Sequence, residues 1–218
     1  MKRSIKELAL RIVILMTGLT IAHFGVTLFL LANLGSDPFN VLVQGIYRTL
    51  SGLTGWALLT HGRVHIMICF LIILVLLVVD KSYIKIGTIL CMIFGGPIID
   101  IFSVILAPLV SDASSLPYKI FILVLGCVIL AYGMTIVIKS DAGTGPNDLV
   151  AVVISDKSGK SFGIIRILVD FTFFLVGFLL GGSVGLGTII CAFCVGPVAN
   201  VFLPVNERII QKVLKKFI

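Results

Sequence analysis

The chain has 218 residues, 59% of them hydrophobic and 12% charged, with a formal net charge of +7. So apolar a composition excludes an ordinary soluble domain and points to a chain that crosses the bilayer several times. The positive charge would suggest nucleic acid in a soluble protein, but here it follows the loops between apolar runs, and no nucleic-acid partner is expected.

Six runs come close to the roughly 20 apolar residues a membrane crossing needs. The first, residues 12–32, carries His23 near its middle and is too long for a cleaved signal peptide. After it comes Gly35-Ser36-Asp37-Pro38-Phe39-Asn40 and then an apolar stretch, 41–50. Gly ends the first helix, Asp37 is suited to an N-cap, and Pro38 sits where a new helix would begin. About ten helical residues reach only about 15 Å, half the hydrocarbon thickness. The stretch is apolar nearly all round, which favours burial over lying flat on the surface. The second run is 64–79. The third, 84–109, contains Gly95-Gly96-Pro97 and Asp100. Residues 111–119 read as an exposed linker.

The same order then returns. A fourth run, 120–138, leads to Gly143-Thr144-Gly145-Pro146-Asn147-Asp148 and a second short apolar stretch, 149–155. The fifth run, 162–180, holds Arg166 and Asp170 four apart on one helix face, which reads as a self-neutralising pair near the membrane surface. The sixth, 184–203, contains Gly196-Pro197 and Asn200.

The return is residue by residue. Gly18, Gly25, Thr27, Gly35 and Pro38 recur 108 positions later as Gly126, Gly133, Thr135, Gly143 and Pro146. Gly87, Thr88, Cys91, Gly96 and Pro97 recur 100 positions later as Gly187, Thr188, Cys191, Gly196 and Pro197. Glycine and proline fix backbone shape, so their recurrence predicts a repeated fold. The two offsets differ by eight, which places about eight extra residues of the first copy between 50 and 65. The expected fold is therefore all-α, with six transmembrane helices in two three-helix repeats, 1–110 and 118–218. Each repeat carries a short interrupted helix after its first span. Three crossings per copy is an odd number, so the copies should have inverted topology within one membrane domain. With both termini in the cytoplasm, fourteen of the seventeen Lys and Arg residues fall on the inner side, leaving Arg48, Arg63 and Lys119 outside.

The paired loops are the leading candidates for function. Two helix N-termini brought together would offer unpaired N–H groups and partial positive charge, a setting suited to an anionic group. Asp37 and Asp148 could instead fill those N–H groups, or receive a cation or proton. The substrate-binding set is Asp37, Pro38, Asn40, Pro146, Asn147 and Asp148. His23, Asp100 and Asp170, ionisable groups inside spans, are the proton or ion partners. His23 aligns with Ala131 and so breaks the repeat. Capping alone would use the same loop residue types. No protease, hydrolase or phosphate-binding signature occurs, and His23, His61 and His65 are too few for a buried metal cluster. Neither a cofactor nor enzymatic activity is expected. The five cysteines read as small packing residues.

These motifs, above all residues 143–148 and Gly185-Leu186-Gly187-Thr188, resemble the YczE/YyaS/YitT family of bacterial integral membrane proteins. The resemblance implies a bacterial inner-membrane location, and no site residue follows from it. The architecture points to a transporter or facilitator of a small polar or anionic solute. The alternatives are a substrate-binding subunit of a multi-component importer and a non-transporting membrane partner. Gly181-Gly182 and other small residues permit two chains to associate.

Overall fold

The computed structural model describes residues 4–35, 37–54, 59, 61–109 and 115–217. For 54, 61, 62 and 100 it describes the backbone alone, so the side chains of His61 and Asp100 lie outside the described residues. Ser36, most of residues 55–60 and linker residues 110–114 also lie outside them. Eight α-helices and no strand occur among the described residues: α1 Ile5–Ala32, α2 Pro38–Thr54, α3 His61–Asp80, α4 Ile86–Leu106, α5 Leu116–Ser140, α6 Pro146–Ser158, α7 Phe162–Leu179 and α8 Leu186–Phe217. All but α2 and α6 belong to the six segments long and apolar enough to cross a membrane.

The helix ends follow local sequence. Ser4 caps α1 by accepting a 3.1 Å hydrogen bond from the Glu7 N–H. α1 and α5 end at equivalent residues, Asn33 and Asp141, with φ of 51° and 57°. Two residues on, Gly35 and Gly143 have φ of 128° and 139°, a region that favours glycine. Each turn then opens on a proline, Pro38 or Pro146, whose missing N–H costs nothing at the first helical position. α2, with 17 residues, is longer than the three turns expected; α6 has 13. α8 is also longer than the apolar run, because it continues through Pro204 as a polar extension to Phe217.

α1 and α5 touch backbone to backbone. A Cβ on Gly18 would lie 2.9 Å from the Gly133 carbonyl oxygen, and one on Gly126 2.7 Å from that of Gly25. Small residues at this spacing are how helices associate in lipid. α4 packs on α1 and α8 packs on α5. Phe29, Leu123, Cys127, Ala131, Met134 and Val195 fill the seam between α1, α5 and α8. The short helices cross over: α2 packs on α7, and α6 on α3 and α7. Two hydrogen bonds tie the copies reciprocally. Gly87 N–H donates to Ala142 C=O at 2.9 Å, and Gly187 N–H donates to Leu34 C=O at 2.8 Å.

The outward surface is apolar. Val78 and Val104 are 89% and 78% exposed, as hydrocarbon contact requires. The start of α1 and the end of α8 share one face, hereafter the terminal face. There Arg11 donates to the Ser140 C=O at 2.9 Å, and Lys139 pairs with Glu207 at 2.8 Å.

Candidate functional site

The short helices bring their N-termini to the middle of the bundle. α2 runs alongside α7 in the same direction. Its first turn meets the middle of α7, where the Phe39 and Phe173 rings are 5.4 Å apart. Its last turns meet the end of α7, where Thr49 donates to the Leu180 C=O at 3.2 Å. α6 does the same along α3: Leu149 and Val153 pack on Leu76, and Lys157 pairs with Asp80 at 3.3 Å.

Between the two N-termini lies a buried ionic cluster centred on Arg166. Its Nε donates to Asp170 Oδ2 at 2.8 Å, one turn along α7. Its other arm bonds Asp148, in the first turn of α6. Arg166 is 8% exposed and Asp170 fully buried. Asp148 Oδ1 also accepts from Asn147 Nδ2 at 3.0 Å. Asp170 Oδ1 is buried with no hydrogen-bond partner among the described residues. The expected Arg166–Asp170 pair is therefore present, but it is not self-contained. A third group, from another helix, joins them, and all three sit where α6 begins. Sequence could show the i, i+4 pair, but not the partner eighteen residues upstream, because that depends on how α6 docks.

The other expected residues divide. Asp37 caps α2: Oδ1 accepts from the Asn40 N–H at 3.1 Å, and Oδ2 from Asn40 Nδ2 at 2.5 Å. The donors that might have met an anion thus have an internal acceptor. No ion pair involves Asp37 among the described residues, yet it lies close enough to Asp170 to act on it electrostatically. Pro38 and Pro146 are buried and start their helices. His23 Nδ1 bonds the Leu19 C=O of its own helix at 2.8 Å. Its Nε2 lies over Gly95 of α4, 2.8 Å from where a Cβ would stand. No hydrogen bond joins His23 to the Arg166 cluster among the described residues. Asp100 belongs to α4, and its side chain lies outside the described residues.

Sequence reasoning missed a cavity of about 510 Å³ at the terminal face. Its walls carry Arg11, Lys85 and Lys139 opposite Asp141, Asp156 and Glu207. Several of these charges pair across elements, Lys85 with Asp141 and Lys139 with Glu207. Thr144 also lines it, and its buried hydroxyl has no hydrogen-bond partner among the described residues. Leu149, Val152 and Asp156 of α6 line the cavity as well, so it lies along the helix whose first turn carries Asp148. The charges are scattered over residues 11 to 207, and no local motif announces them.

Six apolar helices, a hydrocarbon-facing exterior and a buried ionic centre define a multi-span membrane protein. The chain belongs to the family of unknown function DUF6198, whose profile matches residues 9–204. It is similar to the uncharacterized membrane protein YczE of Bacillus subtilis (strain 168), with 29% identity over 207 residues, 94% of this chain and 91% of that one. An uncharacterized protein of Haemophilus influenzae (strain ATCC 51907 / DSM 11121 / KW20 / Rd) is 31% identical over 199 residues, 90% of this chain and 84% of its own. The uncharacterized protein YyaS of Bacillus subtilis (strain 168) is 28% identical over 193 residues, 88% of this chain and 91% of its own. The YczE and YyaS resemblance carried by the glycine and proline motifs is thus established. No solved structure matches the chain.

Proposed function

We propose that the protein is a transporter or facilitator of a small polar solute, built from two inverted repeats that share the Arg166 cluster. The observation that carries this is a buried, charged centre at the start of the short helix α6, which also lines a polar cavity. Ionised groups inside a bilayer are costly and mark pathways more often than packing, and helix breaks at membrane depth belong beside cavities.

Inversion is supported by the two reciprocal hydrogen bonds and by matched contacts near the two ends of the bundle. Arg48 and Thr49 of α2 bond Ser183 and the Leu180 C=O beyond α7. The equivalent residues of α6, Asp156 and Lys157, bond Tyr83 and Asp80 beyond α3. These contacts pin the two short helices at opposite faces. Releasing one while the other holds would expose the cluster to one side at a time. The terminal face, rich in Lys and Arg, is assigned to the cytoplasm of a bacterial inner membrane by the positive-inside rule.

The test is solute flux in proteoliposomes, read as current on a supported membrane over a panel of small polar compounds. At least one class should give a saturable current in the wild type that Asp148→Asn reduces severely. No current from any class would leave the scaffold or importer-subunit readings standing instead.

A further inference from the structure

The sign of the cluster identifies its guest. Asp148 and Asp170 are bonded to one guanidinium, so this trio carries one surplus negative charge. Asp37 adds another from the N-terminus of α2, with hydrogen bonds from Asn40 but no ion pair among the described residues. No salt bridge brings a further positive charge to these carboxylates among the described residues. A surplus of buried negative charge in a bilayer is expensive unless something neutralises it.

Asp170 supplies the second observation. It is fully buried, one oxygen is held by Arg166, and the other has no hydrogen-bond partner among the described residues. A carboxylate oxygen buried without a partner is destabilising, because it has given up its bonds to water and gained none. Its level on α7 is that of the α2 N-terminus, because Phe39 packs on Phe173 one turn further along. Asp37 and Asp170 therefore stand at a similar level on two adjacent helices, one from each repeat.

We propose that Asp170 and Asp37 together hold one singly charged cation, either an alkali-metal ion or the ammonium group of a small amine. This rests on the transport reading for its role but not for its chemistry. Helix N-termini in such bundles suit anions, and here carboxylates reverse that preference. Arg166 acts as a positioning residue: it fixes Asp170 through one oxygen and leaves the other for the guest.

The experiment is thermal unfolding of the purified full chain in detergent at fixed pH and ionic strength. Sodium, lithium, potassium or methylammonium chloride would replace N-methylglucamine chloride. The expected result is a saturable rise in Tm with at least one small cation, by mass action on the folded state. Asp37→Asn and Asp170→Asn should each weaken the apparent affinity about tenfold or more, the loss of about 1.4 kcal/mol. Glu7→Gln, remote from the cluster, should leave it unchanged. If Asp170→Asn fails to fold, Asp37→Asn and a change of ion preference in Asp170→Glu carry the test. A response to alkali ions alone identifies an inorganic ion, and a response to methylammonium alone identifies an amine solute. No cation response, a response to anions instead, or a cation response that survives both substitutions overturns the proposal. Cation binding without flux in proteoliposomes would uphold the site and remove the transport reading.

Discussion

Replacing Arg166 by Met tests the ionic centre. Met keeps an unbranched stem of similar reach and a good helix propensity, so the chief change is loss of the guanidinium. Asp170, with its side chain 1% exposed, then loses its ion-pair partner. Asp148, with its side chain 20% exposed, keeps some access to solvent and loses less. Breaking a buried pair by removing one partner costs about 3–5 kcal/mol, because an uncompensated charge is left behind. The expected loss for Arg166→Met is therefore about 3–5 kcal/mol, most of it from Asp170. Replacing all three charges, Arg166→Met with Asp148→Asn and Asp170→Asn, removes the stranded carboxylates. That variant should fall within about 1–2 kcal/mol of the wild type, since a buried ion pair and a neutral set of similar shape are often close in stability. The assay is reversible unfolding in mixed micelles as the fraction of denaturing detergent rises. An Arg166→Met loss below about 1 kcal/mol, or a triple variant no better than the single one, would refute the reasoning.

Other consequences are as direct. Gly133→Leu should destabilise the fold by about 1–3 kcal/mol or prevent its accumulation, because a Cβ there meets the Ala22 backbone of α1; Gly52→Leu, in open space, should be nearly silent in the same unfolding assay. Lys139→Ala should cost at most about 1 kcal/mol, since its partner Glu207 has a half-exposed side chain, and an unfolding titration would measure it. A cysteine at Lys212 and one at Lys119 should react with impermeant reagents from opposite sides of the membrane, and labelling from the same side would contradict three crossings per half.

Much of this molecule is legible in its sequence because glycine and proline record backbone geometry. The match of Gly35 to Gly143 anticipates two turns of the same φ, and Gly18, Gly25, Gly126 and Gly133 anticipate a helix contact with no room for Cβ atoms. Asp37 reads as a cap because capping is a local event, decided within four residues. Arg166 was under-read for the opposite reason. Its meaning depends on where the first turn of α6 lies, and long-range docking leaves no periodic mark on the chain. The terminal-face cavity was illegible for the same reason, since Arg11, Lys85, Lys139 and Glu207 are brought together by four separate helix ends. The boundary of α8 was misplaced because a helix can leave the apolar run and continue as a polar extension.

The claim that a polar path reaches a shared ionic centre is tested most directly by the accessibility of Asn147, which adjoins Asp148. In a variant with the native cysteines replaced, Asn147→Cys is exposed to impermeant thiol reagents from each face of sealed vesicles in turn. Modification from both faces, each rate changing with solute present, is the predicted result. A thiol that reacts from neither face, while one at Thr144 does from the terminal face, would contradict it.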